Sequence, residues 1–135
     1  MHVRFIGKGG HGARPQLAND PIDPATHWVL SAYRRIGRTA NPHSTVVFSI
    51  GHIEGGHSAN VIPNSASLSG TLRSLDQESR QTAWETLEDI CEAIERETRC
   101  KVEMTMGSSA PAVINDKGLV DLLSDAASDA LTPGA

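Results

Sequence analysis

"NSASLSGTLRSL", residues 64–75, sets Ala66, Leu68 and Leu72 on one side and Ser67, Ser69, Thr71 and Arg73 on the other. A sustained period of two marks a strand with one buried and one solvated face. Three further segments share that habit. Upstream, "STVVFSIGHI" (44–53) turns Val46, Phe48 and Ile50 one way, and "HVRFI" (2–6) alternates Val3 and Phe5 with His2 and Arg4. Downstream, "KVEMTM" (101–106) is expected to point Val102, Met104 and Met106 inward. Between the strands the period lengthens. Ile22, Ala25, Val29, Ala32 and Ile36 recur at three and four residues, a helix predicted to open near Asp20-Pro21 and close at Gly37. Asp76 is placed to cap a second helix, with Ala83, Leu87, Ile90, Cys91 and Ile94 as its apolar stripe.

The order β-α-β-β-α-β, with one-faced strands, predicts an α+β, ferredoxin-like two-layer sandwich. Its antiparallel sheet has order 4-1-3-2, and both helices cover one face. The second strand, about 45–53, then lies at an edge, long, apolar and free of proline. A monomer normally avoids such an edge, which hints at pairing with another chain. This unit is expected to occupy residues 1–107. Residues 108–135 read as a proline-bearing linker and a capped helix from about Asp116 to Leu131. That helix either packs on the sandwich or begins something else.

The totals fit one domain, or one domain with a fragment of another: 135 residues, 39% hydrophobic, 21% charged, formal net charge −4. The acidic balance argues against a general nucleic-acid binder, and a chain with Trp 2, Tyr 1 and Phe 2 has few rings to stack on bases. No apolar run is long enough for a membrane span, and the N-terminus lacks a signal peptide's apolar core. Met1 runs almost directly into strand-like sequence, as at a boundary within a longer protein. Cys91 and Cys100, roughly 13 Å apart on a straight helix, are expected as reduced thiols of a cytoplasmic protein.

Two loops concentrate the remaining signal. "GKGGHGARP" (7–15) surrounds His11 with four glycines, Lys8 and Arg14. It lacks the Gly-Lys-Ser/Thr of a phosphate loop, and the helix starts too late to aim its N-terminus into the loop. "EGGHSANVIP" (54–63), long for a hairpin connection, repeats the glycines and carries His57 and Asn60. By residue type alone His11 could be incidental, Asn60 a turn residue and Arg73 a solvated strand charge. An arginine and an amide are equally suited to gripping a carboxylate. Six histidines raise the question of a metal, but no His-x-Asp, adjacent Glu pair or H-E-x-x-H occurs.

Taken together, G-x-G-G-H, A-N-V-I-P and G-T-L-R-S at these separations resemble the lid, or dimerisation, domain of the M20 metallopeptidase and amidohydrolase family. The flavour is closest to its aminoacylase and hippurate-hydrolase-like branch. The resemblance covers about 3–107, and 108–131 resembles the chain's return to the catalytic domain. It implies a homodimer paired through the strand at 45–53, and a parent enzyme that hydrolyses N-acyl amino acid or similar amides bearing a small carboxylate. Two metal ions, usually zinc, would sit in the parent's catalytic domain, with no cofactor in this chain, no nucleic acid and no membrane. His11 matches the histidine that steadies the oxyanion in the partner subunit's site; Asn60 and Arg73 match residues holding the substrate's carboxylate end. Gln16 departs from the histidine that close relatives often carry after the proline. The isolated chain is expected to be inactive. The competing reading is a stand-alone regulatory module of the same fold, binding a small ligand at a dimer interface.

Overall fold

The computed structural model describes residues 1–39 and 45–131. The strands are β1 (His2–Ile6), β2 (Gly10–His11), β3 (Val46–Gly55), β4 (Val61–Ile62), β5 (Ser65–Ser74) and β6 (Lys101–Thr105). The helices are α1 (Ile22–Thr39), α2 (Gln77–Thr98) and α3 (Lys117–Leu131). The main sheet has order β3-β5-β1-β6, all neighbours antiparallel, which is the expected 4-1-3-2 arrangement with β3 at an edge.

The core forms where the period-two faces meet the helix stripes. Val3, Phe5, Ala66 and Leu68 from the sheet pack with Trp28 and Ala32 of α1 and with Leu87 and Ile90 of α2, all buried. Trp28 sits at its centre, its indole N–H donating to the Cys91 sulfur at 3.2 Å, so the ring is buried without stranding its polar atom. Asp76 caps α2 as expected, its carboxylate accepting from the Ser79 N–H at 2.7 Å. Cys91 and Cys100 are free and buried.

Some boundaries differ from expectation. Helix α1 runs through Gly37 to Thr39, because the glycine lies on an exposed flank where it costs propensity without breaking the turn. Met106 lies beyond β6 and is exposed, its sulfur accepting from the Arg80 guanidinium. β3 extends to Gly55, and its register with β5 slips between Ile50 and His52, a bulge at Gly51. Every residue of α3 is exposed, so this helix does not pack on the sandwich.

Candidate functional site

The two glycine-bearing loops are zipped together. β2 and β4 form a separate two-stranded ribbon, Gly10 opposite Ile62 and His11 opposite Val61. The ribbon is continued by the Gly12 N–H donating to the Asn60 carbonyl at 2.9 Å. On its other side, the Gly7 N–H donates to the Asn64 carbonyl and the Gly9 N–H to the Asn64 side-chain oxygen, both at 2.9 Å. The glycines make room chiefly for the chain's own backbone. A Cβ on Gly7 would lie 2.1 Å from the Asn19 carbonyl oxygen, and one on Gly9 2.8 Å from that of Ile62. Strands of two residues leave no period to read, so this ribbon escaped the sequence reading, and with it the anchoring role of Asn64.

His11 and Asn60 therefore sit one residue apart across the ribbon, both exposed. Each has its acceptor atom committed inside the chain. His11 Nδ1 accepts from the Ala13 N–H at 3.1 Å, which leaves the neutral ring's proton on Nε2, facing away from that contact. The Asn60 side-chain oxygen accepts from the Ser58 hydroxyl at 2.7 Å, leaving the amide NH2 as the available donor. Lys8 and Arg14, both exposed, flank the histidine in sequence. A surface offering N–H donors beside cationic side chains suits an anion or a developing oxyanion. Ser58 is a second residue that the sequence reading passed over.

Arg73 lies elsewhere. Ser65 begins β5 opposite Ile6, next to the loops, and Arg73 is eight residues further on, opposite Val47. At about 3.3 Å per residue that is roughly 26 Å. It is exposed on the open face and lines a groove of about 570 Å³ with Met1, Arg80, Trp84 and Met106. One chain thus brings two of the three expected residues together and leaves the third at the opposite end of the sheet.

Comparison with known proteins decides the family. Residues 1–99 match the model for the peptidase dimerisation domain. The chain belongs to that family. Among curated relatives, this dimerisation domain is 32% identical over 127 residues to hippurate hydrolase of Campylobacter jejuni, covering 94% of the chain and 33% of the relative. It is 39% identical over 116 residues to N-acetyldiaminopimelate deacetylase of Listeria monocytogenes, covering 86% of the chain and 31% of the relative. The chain spans about a third of the length of the curated relatives it matches. A hydantoinase/carbamoylase family amidase from Burkholderia phymatum shares the fold with a TM-score of 0.79 at 23% identity, over 98% of this chain and 33% of that one. The expected resemblance to M20 lid domains is borne out, as is the two-layer α+β fold.

Among the described residues no three His, Cys, Asp or Glu side chains converge as metal ligands. No helix among them is long and apolar enough to cross a membrane.

Proposed function

We propose that this domain is the dimerising, substrate-covering lid of a metal-dependent amidohydrolase acting on N-acyl amino acids or similar amides, and that His11 serves the reaction centre of a partner subunit. The observation that carries the reading is the donor polarity of the loop ribbon: His11 and Asn60 both have their acceptors tied internally and offer N–H groups outward. An amide carbonyl under attack develops negative charge on oxygen, and preorganised donors about 3 Å from that oxygen favour the transition state over the ground state. A neutral imidazole held as the Nε2–H tautomer meets that need without a proton transfer. The two metal ions this reading requires would polarise the carbonyl and activate water. In this reading they would be held by a separate catalytic domain of the parent enzyme, with this chain supplying none of their ligands.

Arg73 completes the reading. It has no hydrogen-bond or ion-pair partner among the described residues, and its forked guanidinium is suited to the carboxylate of an N-acyl amino acid. Its end of the sheet also carries Met1 and, opposite His2, Thr105 at the end of β6. A catalytic domain joined before β1 and after β6 is therefore tethered near its own Arg73, with His11 and Asn60 at the far end. In this arrangement residues 108–131 lead back to that domain, and the apolar side chains of α3, such as Leu119 and Leu123, find their cover there. β3, the exposed edge, is the seam between subunits.

The test uses the intact enzyme that carries this domain. His11→Ala is expected to lower kcat by about 10²–10³ with little change in KM. Arg73→Ala is expected to raise KM for substrates with a free carboxylate and to spare those in which it is amidated. An unchanged kcat for the first, or equal losses on both substrate types for the second, would remove the corresponding role. The 135-residue chain alone is expected to hydrolyse no N-acyl amino acid with added zinc or manganese, and turnover above background would refute the lid assignment.

A further inference from the structure

The backbone of Asn60 is fixed from two sides. The Val61 N–H donates to the Ser58 carbonyl at 3.3 Å, which closes a four-residue turn with Ala59 and Asn60 at its centre. Across the ribbon the Gly12 N–H holds the Asn60 carbonyl, and the fit is close. A Cβ on Gly12 would lie 3.1 Å from that oxygen and 3.2 Å from its carbon. At the base of the loop the Pro63 ring lies against Gly56, whose φ of 75 suits glycine alone.

None of this orients the side-chain amide. The last torsion of an asparagine is broad and roughly two-fold, so oxygen and NH2 exchange places at little cost unless a neighbour distinguishes them. That neighbour is Ser58. Its hydroxyl oxygen lies 2.7 Å from the Asn60 side-chain oxygen. An O–H···O bond usually has that length, whereas an amide N–H donor would stand off at about 2.9–3.0 Å. Ser58 therefore donates and the amide oxygen accepts, which turns the NH2 the other way. The flipped amide would present its oxygen to an approaching anion and repel what the observed orientation attracts.

We propose that Ser58 is a positioning residue for the parent enzyme's reaction, holding the Asn60 amide with its NH2 outward, toward the negatively charged group of the substrate. The inference rests on the lid reading above and deepens it. Ser58 touches no substrate; it selects between two orientations of a group that does. Its effect must therefore pass through Asn60 and vanish when that side chain is removed. Threonine, which keeps the hydroxyl, replaces it, and alanine does not.

Two measurements test this. In the 135-residue chain, nitrogen relaxation of the Asn60 side-chain NH2 is expected to give an order parameter above about 0.6, falling below that value in Ser58→Ala but not in Ser58→Thr. The backbone N–H groups of Gly12 and Val61 are expected to keep their order in all three, which shows that the turn survives. In the intact enzyme, Ser58→Ala is expected to lower kcat/KM about five-fold, and Ser58→Thr less than about two-fold. Asn60→Ala alone is expected to cost more than about ten-fold, and adding Ser58→Ala to it to cost nothing further. No loss from Ser58→Ala, an equal loss with and without Asn60, or an Asn60 amide that stays ordered in Ser58→Ala overturns the positioning role and leaves the lid reading standing. Full activity in Asn60→Ala overturns the role of Asn60 in that reading, and the inference with it.

Discussion

Replacing Gly7 with alanine tests whether the hydrogen-bonded packing of the two loops holds His11 in place. The added Cβ would lie 2.1 Å from the Asn19 carbonyl oxygen and 3.2 Å from the Pro21 ring. Ordinary contact begins near 3.4 Å, so the two backbones must part by more than an ångström. That carbonyl cannot move freely, because Lys8 and Asn19 exchange two backbone hydrogen bonds, each 2.8 Å long. Losing the pair at about 1 kcal/mol each, with overpacking strain of about 1–2 kcal/mol, gives a destabilisation of about 3–4 kcal/mol. In a domain with total stability of about 5–15 kcal/mol that is a large fraction. Urea denaturation followed by tryptophan fluorescence reads it as a lower midpoint at unchanged m. Gly37→Ala is the matched control: a Cβ there meets nothing within 4 Å, and the site is inside α1. It is expected to stabilise by about 1 kcal/mol. A loss below about 0.5 kcal/mol for Gly7→Ala would show that the loops yield, and would remove the argument that they hold His11 in place.

Arg99 ends α2 in the left-handed region at φ 59, the only non-glycine residue with positive φ among those described. Arg99→Gly is expected to stabilise by about 0.5–1 kcal/mol in the same denaturation experiment. Burial pushes the Cys91 thiol up to about 11, so the folded state disfavours its thiolate. The unfolded thiol ionises near 9, binding fewer protons than the folded form above that pH, so stability is expected to fall from about pH 9 to about pH 11. The slope should flatten in Cys91→Ala. Neither cysteine is expected to react with a thiol reagent at neutral pH until the chain is unfolded.

The main sheet was legible because its signal is local. Ala66, Leu68, Val3 and Phe5 alternate without a break, and the helix stripe from Ala83 to Ile94 holds its spacing, so handedness and sandwich packing leave one arrangement. The site was half legible. Composition singled out His11 and Asn60, but the ribbon that joins them depends on backbone contacts between residues some fifty positions apart, such as Gly12 with Asn60, and these carry no period. Arg73 was judged by residue type, and type says nothing of position along a ten-residue strand. The bulge at Gly51 was hidden for a related reason: "SIGHI" keeps its apolar pattern while the register slips beneath it. The end of α1 was misplaced because Gly37 is also the residue most used to stop a helix.

The distance between Arg73 and the His11–Asn60 ribbon makes a demand on the assembled enzyme. If one reaction centre needs all three, it must draw Arg73 from one subunit and the ribbon from the other. Mixing two disabled forms of the intact enzyme, His11→Ala and Arg73→Ala, separates this from every same-chain arrangement. In a hybrid dimer, one centre combines the intact Arg73 of the first chain with the intact His11 of the second, while the other centre receives both lesions. Random exchange of subunits makes about half of the dimers hybrids with one working centre each, so about one quarter of the unmodified activity returns. Were His11 and Arg73 supplied to a centre by the same chain, each centre of the hybrid would lack one of them and no activity would return. Recovery that grows with the time allowed for subunit exchange, and stops when the chains are cross-linked before mixing, is the expected result. Its absence in a mixture shown to contain hybrids would refute the two-chain centre.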